Sequence, residues 1–222
     1  MSDIVLIHGA LGAAKQFDML VPHLSKTHNV HVYEIPGHGR RAAESVDFSI
    51  ENFSTDLESF LQEFKTPPKV FGFSMGGYIS LYLAQTKPHL FGEIITLGTK
   101  FKWSPEEALK ETGKLNVDTL EAKVPQYCQY LHVLHADKWK QVVNKTSDMM
   151  LRLGNNPLLT PASVDTINVP VTIMLGTLDK MVTVEETRDM QEKIPGARFK
   201  QLQDFVHPLE KLDAQALSTH LM

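Results

Sequence analysis

Short apolar runs that alternate with longer amphipathic segments constrain the fold of this chain more than any other feature of its sequence. The runs are rich in β-branched and other apolar residues, as are parallel strands that are buried on both faces. The segments between them carry apolar residues at helical spacing, such as Phe53, Leu57 and Phe60. Strands that alternate with helices predict a three-layer α/β sandwich around a mostly parallel sheet of about six strands. The predicted strands are residues 3–7, 29–35, 70–73, 93–98, 170–176 and 197–202.

One long interval, residues 100–168, interrupts this alternation. It has no strand signal, and its spacing predicts helices over 105–115, 117–136, 138–153 and 161–167. We expect an α/β core formed by 1–99 and 169–222, with a helical lid at 100–168 inserted after the fourth strand. Ligands of open α/β sheets bind beyond the carboxyl ends of the strands, which favours a lid. The alternative is a helical layer that only thickens the core.

The overall composition limits the partners of the chain. Its 222 residues carry a formal charge of −4 without long runs of either sign, so neither nucleic acid nor an anionic membrane is expected as partner. No apolar stretch approaches the roughly 20 residues of a transmembrane helix. The apolar run at 4–7 is too short for a leader, and the single Cys128 excludes an internal disulfide. We expect a cytoplasmic protein with a small-molecule substrate; the sequence leaves the oligomeric state open.

The stretch that carries the chemistry runs from Gly72 to Gly76 and reads Gly-Phe-Ser-Met-Gly. It follows a predicted strand and precedes an amphipathic run, which is the context of a G-x-S-x-G nucleophile elbow. A sharp strand-to-helix turn strains the serine backbone, so the residues two positions away on either side must be nearly free of side chain. The alternative is a glycine-rich turn with an inert serine. The flanking strand and helix favour Ser74 as a nucleophile.

A nucleophilic serine requires a base within hydrogen-bonding reach and a third group that orients the base. His207 follows the sixth predicted strand and therefore lies at the same sheet edge as Ser74. His8 and His38 also follow strands, but we interpret both as histidines that brace their own loops. His207 is thus the predicted base.

The orienting acid should also follow a strand. Asp179 comes directly after the fifth predicted strand, whereas the loop after the fourth, residues 99–103, contains no acid. Asp204 is nearer to His207 along the chain, but nearness in sequence does not set the direction of a side chain. We predict Asp179 as the acid and a loop or capping role for Asp204.

A metal site is not expected. His132 and His135 are three residues apart on a predicted helix, but no carboxylate or cysteine partner is evident beside them. Hydrolysis through a serine nucleophile needs neither a metal nor an organic cofactor, so the predicted cofactor is none.

These motifs together resemble the α/β-hydrolase family over nearly the whole chain, and their Ser, Asp, His order is that of the family. The resemblance implies a triad of Ser74, Asp179 and His207, with an oxyanion hole formed by the backbone N–H groups of Ala10 and Met75. The chain starts at the family's third strand, so the N-terminal hairpin is missing and the strand at 29–35 should be an exposed edge. The motifs are His8-Gly9-Ala10, Pro36-Gly37-His38-Gly39, Gly72-Phe73-Ser74-Met75-Gly76-Gly77, Leu175-Gly176-Thr177-Leu178-Asp179 and Val206-His207-Pro208.

Small-lid members of the family that cleave esters or carbon–carbon bonds look most similar, as does the cofactor-free lyase of menaquinone synthesis. We expect a serine hydrolase that cleaves a small ester or thioester through an acyl-enzyme, with an apolar or aromatic acyl part in the substrate. The alternatives are a carbon–carbon bond hydrolase or lyase, or a hydrolase-fold receptor for a small molecule. The predicted pocket residues are Leu11, Phe101, Trp103, Tyr127, Tyr130 and Trp139.

Overall fold

Six strands form a single sheet in the computed structural model, which describes residues 1–222. All neighbouring strands are parallel, and their order is β2-β1-β3-β4-β5-β6. The predicted mostly parallel sheet of about six strands is therefore confirmed, with the second strand at one edge. The strands are β1 (Ser2–Ile7), β2 (His28–Tyr33), β3 (Lys69–Phe73), β4 (Glu93–Leu97), β5 (Val171–Gly176) and β6 (Arg198–Leu202).

Helices cover both faces of the sheet. Successive side chains of each strand point to opposite faces, so both faces carry apolar side chains that need to be buried. Val5 and Ile7 belong to the larger apolar core, and Ile4 and Leu6 belong to the smaller core on the other face. The helices are α1 (Val21–Leu24), α2 (Ile50–Leu61), α3 (Met75–Ala84), α4 (Pro105–Thr112), α5 (Val117–Lys123), α6 (Pro125–His135), α7 (Trp139–Asn155), α8 (Val184–Lys193) and α9 (Ala214–Thr219).

Two predicted helices are divided in the structure. The spacing of Phe17, Leu20, Val21 and Leu24 predicts one helix over 14–26, but the structure has a 3-10 helix at Ala14–Phe17 followed by α1, with Pro22 in the first turn of α1. The helix predicted over 117–136 breaks where Val124, at φ −138° and ψ 56°, precedes Pro125. The proline ring disfavours the helical conformation for the residue before it.

Two other predicted helices differ more. The segment 161–167 contains only turns. The spacing of Leu209, Leu212, Ala216 and Leu217 predicts a final helix that begins at Pro208. Pro208 is extended instead, at ψ 118°, and a 3-10 helix at Leu209–Lys211 precedes α9. Neither change moves a strand.

Helices α4 to α7 follow β4 and form the segment that interrupts the alternation of the sheet. The last turn of α7 approaches α4 closely at Gly154: a Cβ there would lie 2.4 Å from Cβ of Ala108. None of the helices combines the length and apolar character that crossing a bilayer requires.

Candidate active site

Ser74 lies at the turn between β3 and α3, in a backbone conformation that costs energy. Its φ of 50° and ψ of −114° lie outside the regions that side-chain-bearing residues normally occupy. The strand end of β4 holds it on both sides: the Ser74 N–H donates to Leu97 O at 2.8 Å, and the Thr99 hydroxyl donates to Ser74 O at 3.0 Å. The surrounding structure thus stabilises a turn that a free chain would avoid.

The glycines on either side of Ser74 are required by close backbone contacts. A Cβ on Gly72 would lie 2.5 Å from Cα of Gly77, and one on Gly76 would lie 2.4 Å from Ile7 O. Real Cβ atoms do not approach backbone atoms so closely, so the strand, the turn and the start of α3 can pack only with glycine at these positions. This is the physical reason for the Gly-Phe-Ser-Met-Gly spacing.

Two backbone N–H groups near Ser74 have no acceptor within the chain. They belong to Met75, the first residue of α3, and to Ala10, in the loop after β1. The first N–H groups of a helix have no partner inside the helix, and the helix dipole favours negative charge there. Both groups are therefore able to donate to an oxyanion beside Ser74.

His207 and Asp179 form a hydrogen-bonded pair at the same sheet edge. His207 Nδ1 lies 2.8 Å from Asp179 Oδ2, and the Asp179 side chain is only 2% exposed. The other carboxylate oxygen, Oδ1, accepts the N–H groups of Met181 at 2.8 Å and Val182 at 3.0 Å. Because the carboxylate accepts at Nδ1, that nitrogen carries the proton and Nε2 is free to accept another.

The rival carboxylate, Asp204, is placed elsewhere. It is exposed, at φ 63°, and its Oδ1 accepts from Gln203 Nε2 at 2.9 Å. Its N–H donates to the hydroxyl of Thr177 at 2.8 Å. Asp204 is thus bonded to Gln203 and Thr177 and not to His207.

The histidines after β1 and β2 are buried within their own loops. The backbone N–H of Ile35 donates to His8 Nε2 at 3.1 Å, so Nδ1 carries the proton and donates to Gly9 O at 2.9 Å. Burial lowers the pKa of His8 to about 3. Burial, and next the charge of His8, hold the pKa of His38 well below its usual range. Both rings are therefore neutral at neutral pH.

An apolar cavity of about 50 Å³ lies between Ser74 and the helices that follow β4. Nine of its twelve lining residues are hydrophobic, and four are methionines, whose flexible side chains adapt to irregular contents. Lys100 lines it too, but its ammonium group is paired with Glu107 at 3.0 Å. The lining residues are Ala10, Ile50, Ser74, Met75, Tyr78, Lys100, Trp103, Glu111, Met149, Met150, Leu153 and Met181.

A second, larger groove of about 390 Å³ also reaches Ser74 and is more polar. It shares Ala10, Ser74, Glu111, Met150 and Met181 with the apolar cavity. His207 lines the groove only, and Met75 lines the cavity only. The other groove residues are Leu11, Gln16, Phe73, Lys114, Leu115, Leu120, Tyr127, Tyr130, His207, Pro208, Leu209 and Glu210.

The predicted pocket residues divide into three groups. Leu11, Tyr127 and Tyr130 line the groove, and Trp103 lines the apolar cavity. Phe101 and Trp139 line neither. They are 5% and 8% exposed and pack in the larger apolar core instead.

Sequence reasoning gave no role to several residues that line the site, including Tyr78, Glu111 and Met181. Apolar periodicity reveals the buried face of a helix but does not distinguish core from cavity wall. No sequence signal identified Glu111, a charged side chain in a 5%-exposed residue.

No cluster of three or more histidine, cysteine or acidic side chains with the spacing of a metal site occurs in the chain. His132 and His135, three residues apart, face different surroundings. His132 is exposed on the surface of α6, whereas His135 is 1% exposed and contacts backbone groups of two loops.

Comparisons with known proteins agree with this architecture. A family model described as alpha/beta hydrolase fold matches residues 4–114. A pimeloyl-[acyl-carrier protein] methyl ester esterase of Neisseria meningitidis is 24% identical over 225 residues, covering 92% of this chain and 70% of that protein. The enzyme of that name from Aliivibrio salmonicida is 26% identical over 226 residues, covering 87% and 80%.

Solved structures share the fold at lower sequence identity. NosK from Streptomyces actuosus superposes with a TM-score of 0.84 at 20% identity, covering 99% of this chain and 95% of that one. The enol-lactonase from Burkholderia xenovorans has a TM-score of 0.75 at 22% identity, covering 99% and 89%. At these identities the likeness concerns the fold alone.

Proposed function

Because the chain belongs to the α/β-hydrolase fold family, we propose that it is a serine esterase with Ser74 as nucleophile, His207 as base and Asp179 as orienting acid. One observation carries the proposal. Ser74 lies in a strained, partly buried turn. It lines one groove together with His207, which is hydrogen bonded to Asp179, and with Ala10, whose N–H, like that of Met75, has no acceptor within the chain. A serine without a catalytic role would not need this conformation.

The reaction follows from these positions. His207 Nε2 takes the Ser74 proton as Oγ attacks the acyl carbon, and the bond from Asp179 stabilises the imidazolium that forms. The developing oxyanion accepts the N–H groups of Ala10 and Met75. Collapse of the tetrahedral intermediate expels the alcohol, which takes the proton from His207. Water, activated by the same histidine, then releases the acid and restores Ser74.

The residues that line the cavity and the groove indicate where the acyl part and the alcohol part of the substrate bind. His207 delivers the proton to the leaving alcohol and lines only the groove, so the alcohol part occupies the groove. Met75 lines only the apolar cavity, so the carbonyl and its acyl chain occupy that side. The acyl part is therefore apolar and small, because the cavity beside Met75 has a volume of only about 50 Å³.

Helices α4 to α7 act as the lid in this proposal. Met149, Met150 and Leu153 of α7 form one wall of the cavity opposite Ser74. A wall of apolar side chains excludes water from the oxyanion and strengthens its hydrogen bonds. It also excludes substrates too large for the cavity, such as triglycerides or folded protein.

A methyl ester is the first candidate for the natural substrate class. The relatives from Neisseria and Aliivibrio are named for cleavage of a methyl ester on a carrier-bound acyl chain. Methanol is a small leaving group that the groove accommodates with space to spare, and the groove also accommodates larger alcohols. A thioester remains compatible with the same mechanism.

The test is hydrolysis of a p-nitrophenyl ester series and of methyl esters with matched acyl chains. We expect turnover of short and medium acyl chains, and covalent labelling of Ser74 by a fluorophosphonate. Ser74→Ala should abolish both, with rates reduced by at least about 10⁴-fold. Ser59→Ala is the matched control, because Ser59 lies on the exposed face of α2 and its hydroxyl donates only to Thr55 O.

Three outcomes would contradict the proposal. Equal turnover by Ser74→Ala would place the nucleophile elsewhere. Tight binding of a small molecule without turnover of any ester would favour a receptor. Cleavage of a vinylogous diketo acid but of no ester would favour carbon–carbon chemistry.

A further inference from the structure

His135 connects the helical insertion to the loop that carries one of the proposed oxyanion donors. We propose that it is a positioning residue, which acts through the backbone of Leu11 to hold the Ala10 N–H in place. The inference rests on the proposed esterase function, in which Ala10 stabilises the oxyanion. His135 is the last residue of α6, and it is 1% exposed.

Both ring nitrogens of His135 are hydrogen bonded, and the two bonds fix its protonation. The backbone N–H of Gly39 donates to Nδ1 at 2.9 Å, and a backbone N–H can only donate. Nδ1 is therefore unprotonated, so Nε2 carries the proton and donates to Leu11 O at 2.9 Å. The ring is a neutral imidazole that accepts from one loop and donates to another.

The two bonded residues belong to loops at the carboxyl ends of neighbouring strands. Leu11 lies in the loop after β1 at φ 58°, and Gly39 lies in the loop after β2 at φ 50°. For leucine, a positive φ costs about 1–2 kcal/mol relative to the ordinary conformations. A loop with such a residue needs fixed partners, and the bond from His135 to Leu11 O is one of them.

Ala10 lies between two carbonyl groups that are each held by a histidine. His8 donates to Gly9 O, which belongs to the same planar peptide unit as the Ala10 N–H. His135 donates to Leu11 O, the carbonyl of the next residue. The Gly9–Ala10 peptide is thus held directly by His8, and His135 holds the Leu11–Gly12 peptide two units further along. With both ends of this short segment held, the Ala10 N–H has little freedom to change direction. A donor that is fixed before the oxyanion forms costs no reorganisation during the reaction.

The surroundings of His135 keep it in the neutral form that both bonds require. His38 packs edge-on against it, with ring centroids 5.9 Å apart, and His38 is in turn 5.3 Å from His8. Burial lowers the pKa of His135, and the Glu34 carboxylate opposes this only in part. A protonated ring could not accept the Gly39 N–H.

Glutamine or asparagine can replace the imidazole at position 135, and each keeps a different one of its two hydrogen bonds. Glutamine places its amide nitrogen near the position of Nε2 and so can donate to Leu11 O. Asparagine places its amide oxygen near the position of Nδ1 and so can accept from Gly39, but it is too short to reach Leu11 O. Positioning through Leu11 predicts that His135→Gln retains catalysis and that His135→Asn does not.

We expect His135→Asn to lower kcat about 10- to 100-fold with KM changed less than about 3-fold, because a misplaced donor weakens transition-state binding only. His135→Gln should recover most of the loss. A trifluoromethyl ketone, whose adduct places an oxyanion in the same site, should bind the Asn variant more weakly by a similar factor. His132→Asn, three residues earlier on the exposed face of α6, should leave all these quantities unchanged.

A measurement without catalysis separates this inference from the esterase function. The backbone amide resonance of Ala10 should shift in His135→Asn and return towards its original position in His135→Gln. An unchanged Ala10 resonance in the Asn variant would overturn positioning, whether or not the protein hydrolyses esters. Equal kinetic losses in the Asn and Gln variants, in proportion to their stability, would also overturn it. Absence of esterase activity in the wild type contradicts the proposed function instead.

Discussion

The strand-end loops and the helical insertion contribute to the site in different ways. The loops supply Ser74, Asp179 and His207, and they hold these groups through bonds between side chains and backbone. Helix α7 supplies Met149, Met150 and Leu153, which only line a space. In our proposal the loops therefore determine the chemistry and the insertion determines which substrates enter. The two roles should separate when each region is altered by itself.

The largest effect is expected from the acid in the loop after β5. Asp179→Asn should lower kcat by roughly 10⁴-fold, because an amide no longer keeps the proton on Nδ1 of His207 and leaves Nε2 as base. Steady-state hydrolysis of a p-nitrophenyl ester measures it. Asp204→Asn is the matched control, since Asp204 is exposed and is bonded within its own turn. A comparable loss in the Asp204 variant would reverse the assignment of the two acids.

Buried histidines lie where the strand-end loops meet the insertion, and they should make the free energy of unfolding depend on pH. His8 and His38 of the loops and His135 of the insertion are buried, and burial lowers the pKa of each from its usual 6.5. Below about pH 6.5 these histidines are therefore protonated in the unfolded chain but still neutral in the folded chain. The free energy of unfolding is at its maximum above that pH and decreases below it. Each histidine lowers the free energy of unfolding by at most about 1.4 kcal/mol per pH unit, and the three together lower it by at most about 4 kcal/mol per pH unit.

Urea unfolding at about pH 7.5, 6.5 and 5.5 tests this slope, with the largest change expected between the last two. For His8 the loss continues towards its folded pKa of about 3. His132→Asn should leave the slope unchanged because His132 is exposed. Equal stability at the two lower pH values would show that the histidine cluster accepts protons without cost.

Tyr78 binds the chain where the helical insertion returns to the core. The Tyr78 hydroxyl on α3 accepts the backbone N–H groups of Leu158 at 3.2 Å and Leu159 at 3.0 Å. Tyr78→Phe would leave these N–H groups without that acceptor, and we expect a loss of about 2 kcal/mol in unfolding free energy. Tyr82→Phe, on the same helix, is the control. A loss in both variants alike would indicate a general effect of hydroxyl removal on α3.

The smallest effect concerns selectivity. Met150 lines both cavities beside Ser74, so Met150→Ala should widen the passage and raise relative kcat/KM for branched acyl chains by about 10-fold over linear ones. Competition between paired esters measures the ratio. Met19→Ala is the control, because Met19 is 74% exposed. A lowered rate for every ester without a change of ratio would show that α7 supports the chemistry rather than selecting the substrate.

Much of the fold could be predicted because its signals are local. Each buried strand is a short apolar run, and parallel strands place their carboxyl ends at one edge, so residues after different strands had to meet there. The helices of the insertion were less predictable. The break at Val124 follows from Pro125 in retrospect, but the turns over 161–167 replace a helix that local spacing favours.

The sequence by itself determined the α/β alternation, the six parallel strands and the positions of Ser74, Asp179 and His207 beyond strand ends, because periodicity and motif spacing act over a few residues. Only the tertiary structure decided that Phe101 and Trp139 enter the core and that His135 bridges two loops. Those outcomes depend on how each helix is rotated about its axis when it packs. That rotation is set by contacts between residues far apart in the chain, which no local pattern contains.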